Sequence, residues 1–403
     1  MSSILPATSA DPVGAVALLE CADPLELERF VALESAMWEE STLAPAVVEA
    51  VRLHCAQVRG CEFCKAVRYT AAIDDGLTEP QIAQLDVRAA RQEFSAEQSA
   101  ALTLADHFLR DPRKPDGAAE LAEVLGTAGV MEVLIGCCAF ASAELRIALG
   151  ENREPQGSGV IDRAAGRPAS VSNDKAWPAL DGPILSVNTT LPAVAPGLAK
   201  PIHERVSSLW SERDLSHELV AACIVRSTQL HGVAADDPVN DVLVPPEAAR
   251  LVNPDDVRNW PAWTTGRDEM ALAEQLWIDP AGVNGNITDP LKSSLGVDGL
   301  IRVAWHLILI GQLHRLALTL NRENNDCKRT NATLPGHRTL PRQRTGRFRP
   351  AHDRLRRSGQ PGRETGSVSA RWAGRWHLAG LSPFFRPGAL PTRARRPAWR
   401  RSQ

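Results

Sequence analysis

The chain has 403 residues, of which 44% are hydrophobic and only 5% aromatic, a composition that supports a buried core of packed helices. The segment from Cys327 to the C-terminus contains 19 Lys and Arg but only 2 Asp and Glu, so its net charge is +17. The rest of the chain contains 26 basic and 46 acidic residues, a net charge of −20. The N-terminus lacks the basic segment of a signal peptide. No apolar run is long enough without interruption to span a membrane. The spacing of the cysteines is not that of a disulfide-rich secreted protein. We therefore expect a cytoplasmic protein with an acidic globular body and a basic tail.

Helical periodicity dominates the first half of the chain, and strand-like alternation is weak. Predicted helices run over 45–59, where Gly60 suits a left-handed stop, and over 61–74, where Asp75-Gly76 ends the pattern. Thr78 to Gln81 forms a capping box, and further helices are predicted over 95–110 and 127–149. The predicted fold class is all-α.

The sequence also indicates an internal duplication. Residues 35–60 align without a gap on residues 207–232, and seven positions are identical where chance would give about one or two. Similarity continues from LADHFLRDP (104–112) to LAEQLWIDP (272–280). The alternative is convergent composition in a chain rich in Ala and Leu. Duplication predicts an N-terminal helical domain at 1–150, a linker or surface wrap at 151–200, and a degenerate second copy at 201–322.

The segment 323–403 differs from the rest because it is rich in Arg, Pro and Gly and has no sustained apolar period. It has three interpretations: a nucleic-acid-binding arm, a disordered solvated tail, or an out-of-frame translation of GC-rich DNA. The absence of base-reading motifs favours the last two. We expect a disordered tail and no nucleic-acid partner.

Cys61 and Cys64 form a CxxC pair directly after the Gly60 stop. Residues three apart on a helix share a face, so the two thiols can close and reopen a disulfide. A position at a helix start favours the thiolate. The alternatives are half of a zinc site, which lacks further ligands at usable spacing, and a pair of inert buried thiols. The isolated cysteines at 21, 55, 137, 138 and 223 are interpreted as packing residues.

The run EAVRLHCAQVRGCEFCKAVRYTAAIDDGLTEPQI (49–82) resembles the carboxymuconolactone decarboxylase superfamily, specifically its AhpD-like alkyl hydroperoxidase branch. The resemblance rests on Glu49, which lies twelve residues before Cys61, on both cysteines, and on the GLTE turn. It implies an all-helical oligomer in which the Glu and a His relay protons to and from the thiols. Here Arg68 replaces the His that follows the pair, and Phe63 stands between the cysteines.

Arg68 cannot relay a proton because arginine stays protonated in proteins. In a continuous helix it would share a face with Cys64. Our hypothesis is that Arg68 stabilises the Cys64 thiolate while Glu49 orients Arg68. The alternative is a purely structural pair between Glu49 and Arg68.

The resemblance implies a thiol-dependent redox enzyme with peroxidase or oxidoreductase activity of the peroxiredoxin type. Its expected catalytic residues are Cys61, Cys64, Glu49 and Arg68, with no cofactor and no metal. The expected partners are a hydroperoxide or disulfide substrate, a dithiol or protein reductant and further copies of the chain, with no membrane. The alternatives are a carboxymuconolactone decarboxylase-type lyase and a non-catalytic helical scaffold or redox sensor. In the second copy the cysteine positions hold Val233 and Asp236, so this copy is expected to be structural.

Overall fold

Helix ends in the chain follow the local signals of the sequence. Pro45 is the first residue of its helix, and Gly60 ends that helix in the left-handed conformation (φ 78°). Thr78 and Ser95 each open a helix through a capping box.

The computed structural model describes Leu19 and residues 22–85, 93–113, 115–140, 142–150, 152, 159–163, 166, 174–178, 191–211, 214–234, 237–252 and 257–320. The predicted tail at 323–403 lies outside the described residues.

The described elements of the N-terminal half are α1 (Pro24–Glu39), α2 (Pro45–Arg59), α3 (Glu62–Ala66), β1 (Arg68–Tyr69), α4 (Thr70–Asp74), α5 (Glu79–Ile82), α6 (Ala96–Arg110), α7 (Ala118–Ala139), α8 (Ser142–Leu149) and β2 (Val160–Ile161). Those of the C-terminal half are α9 (Leu191–Val194), α10 (Pro196–Ser208), α11 (His217–Leu230), α12 (Pro261–Thr265), α13 (Arg267–Ile278) and α14 (Gly285–Leu320). Short 3₁₀ turns lie at Pro238–Val242, Pro246–Leu251, Val257–Asn259 and Pro280–Gly282. The all-α prediction is confirmed, because strand structure in this part of the chain is limited to the two-residue parallel pair β1–β2.

The predicted helix over 61–74 is wrong in its middle. The helix stops at Ala66, Val67 is extended (φ −83°, ψ 141°), and the chain resumes a helix only at Thr70. The Arg68 amide donates to the Gly159 carbonyl at 2.9 Å instead of continuing the helical ladder. A strand partner some ninety residues further along therefore overrides the local helical pattern.

The two halves show matching backbone features. Helix α7 changes direction at Gly126 (φ 71°) and α14 does so at Gly296 (φ 73°). Gly60 and Gly232 both end their helices at positive φ. Gly60 and Gly232 are aligned in the predicted duplication, and each half contains one long helix that bends at a glycine, so the backbone supports the duplication.

Side-chain contacts correspond as well. His54 on α2 lies 3.4 Å from Asp106 on α6, between Nε2 and Oδ1, and the equivalent Arg226 on α11 pairs with Glu274 on α13 at 2.6 Å. The residues differ in type, but each contact joins the corresponding pair of helices in its half. The duplication stays a prediction from sequence, and these contacts support it.

One hydrophobic core runs through both halves, with Leu134 of α7 and Leu307 of α14 both fully buried in it. Residues 1–333 accordingly form one unit. The predicted boundaries at 150 and 201 stay predictions. The stretches Ala118–Leu149 and Gly285–Leu320 are long and apolar enough to cross a membrane by length and composition, but most of each apolar segment is buried, as in core helices.

Glu132 on α7 holds the loop that precedes α2. Its buried carboxylate accepts hydrogen bonds from the Ser41 and Thr42 hydroxyls and from the Thr42 and Leu43 amides, at 2.8 to 3.2 Å. We expect Glu132→Ala to lower the free energy of unfolding by about 2–4 kcal/mol, because several buried donors lose their acceptor. Urea denaturation measures this. Glu123→Ala, at an exposed position of the same helix, is the control and should change stability by less than about 0.5 kcal/mol.

Candidate active site

Cys61 and Cys64 are joined in a disulfide, with their Cα atoms 5.3 Å apart. Cys61 is the residue that caps α3, and its sulfur accepts a hydrogen bond from the Cys64 amide at 3.2 Å. Cys61 is fully buried, whereas Cys64 is half-buried. The two cysteines therefore differ in access: solvent and partner molecules reach Cys64 first.

Asn152 fixes the turn that presents the pair. Its side-chain amide donates to the Gly60 carbonyl and its oxygen accepts from the Glu62 amide, both at 2.7 Å. Asn152 thus holds both sides of Cys61. No local signal in the sequence indicates this role, because Asn152 lies at the start of the segment predicted as a linker or surface wrap. The described parts of that segment favour the wrap, since β2 also pairs beside the site.

Glu49 and Arg52 form a buried ion pair on α2. Arg52 Nε donates to Glu49 Oε2 at 2.6 Å, and Nη2 donates to Oε1 at 2.7 Å. The guanidinium also donates to the Cys64 carbonyl at 2.9 Å and to the Val67 carbonyl at 2.7 Å. These carbonyls belong to the C-terminal part of α3 and to the residue just after it, where a helix leaves acceptors unsatisfied. Arg52 therefore connects Glu49 to the backbone of Cys64.

Glu49 stabilises the charge of Arg52. Burial opposes the guanidinium charge, but the attraction and hydrogen bonds of Glu49, together with the nearby Tyr69 and Glu34, outweigh burial and raise the pKa of Arg52. The ring of Tyr69 lies 5.1 Å from the guanidinium carbon and covers its side. The spacing of three residues from Glu49 to Arg52 indicates this pair in the sequence, since side chains three apart on a helix lie on the same face. The family motif does not include Arg52.

Arg68 is not the partner of Glu49, and that hypothesis is wrong. Arg68 pairs with Glu79 at the surface, Nε to Oε1 at 2.8 Å, and also donates to the carbonyls of Lys65 and Val67. The reason is the end of α3 at Ala66, which places Arg68 in β1 and removes the shared helical face with Cys64. The pKa of Glu79 is lowered by its hydrogen bond with Arg68. Of the four predicted site residues, the structure brings Glu49, Cys61 and Cys64 together through Arg52, and it directs Arg68 towards Glu79.

Phe63, between the two cysteines, lies against Arg146 of α8, whose guanidinium carbon is 3.6 Å from the ring centroid. Cys61 packs against Ala56, Ala143 and Ile147, with Phe63 at the edge of this cluster. One side of the disulfide is thus apolar. Arg146 covers the Phe63 ring with a cation.

The equivalent place in the C-terminal half has no such site. Val233 stands at the Cys61 position and Ala221 at the Glu49 position, while Asp236 lies outside the described residues. His231 packs there against the buried ring of His314, with centroids 5.8 Å apart.

Residues 24–107, which span α1 to most of α6 with Glu49 and the CxxC pair, match the carboxymuconolactone decarboxylase family. The segment is similar to this family over 84 of the 403 residues of the chain. Searches of curated proteins and of solved structures gave no match. The carboxymuconolactone decarboxylase match confirms the superfamily that the sequence motif indicated. Assignment to the AhpD-like branch stays a prediction.

The Glu49–Arg52 pair can be tested against the surface pair Arg68–Glu79. We expect Glu49→Gln to lower the free energy of unfolding by about 3–5 kcal/mol, because it leaves a buried guanidinium without its counter-charge. Glu79→Gln, the matched control, removes the carboxylate of an exposed pair and should cost less than about 1 kcal/mol. Chemical denaturation of the oxidised proteins measures both. Equal losses for the two variants would contradict the role assigned to the buried pair.

Proposed function

We propose that this protein is a thiol-dependent oxidoreductase that cycles Cys61 and Cys64 between a dithiol and a disulfide, with a hydroperoxide or a partner disulfide as substrate. The observation that carries the proposal is the Cys61–Cys64 disulfide at the start of α3, in which Cys61 is fully buried and Cys64 is only half-buried. A structural disulfide does not need this asymmetry. An exchanging pair does, because one sulfur must meet the substrate and the other must wait behind it.

Cys64 is the proposed attacking residue because it is the more accessible cysteine. Its thiolate attacks one oxygen of the hydroperoxide, the O–O bond breaks, and the departing oxygen leaves as an alcohol or water after taking a proton. The resulting Cys64 sulfenic acid is then attacked by Cys61, which forms the disulfide and releases water. An external dithiol reduces the disulfide when one of its thiolates attacks Cys64 and forms a mixed disulfide. Cys61 leaves as a thiolate that the Cys64 amide stabilises at 3.2 Å. The second thiol of the reductant then displaces Cys64, which restores the dithiol and leaves the reductant as a disulfide.

Arg52 and Glu49 are proposed to position the pair. Arg52 holds the Cys64 carbonyl, and Glu49 holds Arg52 through both carboxylate oxygens. Because Glu49 is buried and both of its oxygens accept from Arg52, the proposal assigns it a positioning role and not that of the first proton acceptor. In this proposal, protons exchange with solvent at the accessible Cys64 side.

The lyase alternative shares the family domain, but lactone decarboxylation does not use a CxxC pair. The scaffold or redox-sensor alternative differs in turnover. A sensor would be oxidised once, and a scaffold would not react. The disulfide together with the accessible Cys64 favours the oxidoreductase.

The redox proposal predicts a specific loss of thiols. When hydroperoxide is added to the reduced protein, Cys61 and Cys64 should be lost together, and added dithiol should restore both over repeated cycles. The measurement is alkylation with peptide mapping, alongside peroxide consumption. In Cys61→Ser and Cys64→Ser the disulfide cannot form, and turnover should fall to the background rate. Retention of both thiols after peroxide would reject the proposal.

The proposed division of labour predicts which single-cysteine variant reacts. Cys61→Ser keeps the more accessible Cys64 and should react quickly with an aromatic disulfide reagent to form a mixed disulfide. Cys64→Ser keeps only the buried Cys61 and should react at least about tenfold more slowly, since access limits thiol exchange. Release of the coloured thiol reports both rates. Faster reaction of Cys64→Ser would reverse the assigned roles.

A further inference from the structure

A second pair of thiols lies outside the CxxC site. Cys55 on α2 and Cys137 on α7 are both fully buried, and their sulfurs are 3.8 Å apart, within the range of an S–H···S hydrogen bond. Disulfide formation needs a sulfur–sulfur distance of about 2.05 Å, so the two sulfurs must approach by just under 2 Å. The two sulfurs are thus in direct contact, which is the first geometric requirement for a disulfide between them.

A buried guanidinium accompanies the pair. Arg59, one helical turn after Cys55, pairs through Nε with Glu144 at 2.8 Å and through Nη2 with the Gln312 side chain at 3.0 Å. The same Nη2 also lies 3.5 Å from the Cys137 carbonyl oxygen, and Nη1 is buried with no hydrogen-bond acceptor in the described part of the chain. A buried cation with an unused N–H group favours an anion nearby.

The two thiols differ in acidity. The hydrogen bond with Cys137 lowers the pKa of Cys55 in spite of burial, and the positive charge of Arg59 acts in the same direction. Burial raises the pKa of Cys137 well above its usual value. Cys55 is therefore the more acidic thiol of the two.

The C-terminal half provides a comparison within the same chain. In the predicted alignment, Ser227 stands at the Cys55 position and His231 at the Arg59 position. The half without the CxxC pair thus also lacks a thiol and a guanidinium at these two places.

We propose that Cys55 and Cys137 are a second, buried dithiol that a hydroperoxide oxidises directly to a disulfide, independently of Cys61 and Cys64. The Cys55 thiolate attacks a peroxide oxygen, the O–O bond breaks, and water leaves, which yields a sulfenic acid. The Cys137 sulfur then attacks the Cys55 sulfur, a second water leaves, and the disulfide closes. One hydrogen peroxide and two thiols give one disulfide and two waters. Access is through local opening of the core, so this oxidation is slower than that of the accessible pair.

The experiment uses the full chain with Cys61→Ser and Cys64→Ser, together with the wild type. Both proteins are reduced, exposed to hydrogen peroxide, denatured in acid, alkylated and mapped by mass spectrometry. We expect the alkylated Cys55 and Cys137 peptides to be lost together and a peptide that links them to appear. Peptide mapping reads each cysteine pair separately, so failure of this proposal and failure of the CxxC proposal are distinguishable.

Two controls accompany the measurement. Cys223 is equally buried, but its sulfur contacts Met270 Sδ at 3.4 Å and burial raises its pKa, so its alkylated peptide should persist. Adding Cys55→Ser, which introduces the residue found at the equivalent place in the C-terminal half, should leave Cys137 alkylatable. Circular dichroism confirms that each variant is folded.

Three results would overturn the proposal. They are retention of both alkylated peptides after peroxide, loss of Cys55 and Cys137 no faster than that of Cys223, and a linked peptide that appears in the wild type but not in the variant without Cys61 and Cys64. The last result would show that the buried pair obtains its oxidation from the CxxC disulfide. Cys137→Ala serves as a second variant and should leave Cys55 without a disulfide partner.

Discussion

The arrangement of the site depends on one buried ion pair, Glu49 with Arg52. Neither charge is stable alone in the core, because transfer of an unpaired ion out of water costs several kcal/mol. Paired, they leave guanidinium N–H groups for the carbonyls of Cys64 and Val67. The pair thereby converts a short helix of five residues, too short to be stable alone, into a fixed support for a disulfide.

Other contacts hold the same support from different directions. Asn152 clamps the turn around Cys61, and β2 pairs with the backbone that follows α3. Apolar contacts from α8 cover the buried side of the disulfide. These contacts hold the disulfide on the Cys61 side and leave Cys64 as its more exposed end. This arrangement matches the proposed chemistry, in which only one sulfur has to meet a substrate.

The parts of this structure that were predictable are those set by local signals. The Gly60 stop, the Ser95 cap and the span of α2 follow from side chains within a few residues of each helix end. The break after Ala66 did not follow, because its cause is a strand partner about ninety residues away. The same holds for Asn152, whose two hydrogen bonds depend on the return of the chain to the site.

The partner of Glu49 differs from these cases, because a local signal in the sequence does indicate it. The spacing from Glu49 to Arg52 is one that places both side chains on one helix face. The family motif instead directed attention to position 68, where a relay residue was expected. The motif contains the cysteines and the carboxylate that lie together in the structure, and ordinary helix geometry predicts the cation beside that carboxylate.

Gln312 of α14 reaches from the C-terminal half to Arg59 and Glu144 of the N-terminal half, at 3.0 and 2.7 Å. In an assembly of identical subunits, every such contact would occur twice, and a change on one side would change both. Within one chain, each half is free to change alone. One half can keep its cysteines and buried charges while the other exchanges them for apolar residues and histidines. Covalent linkage thus fixes the stoichiometry at one CxxC site for every two helical halves, whatever larger assembly the chain enters.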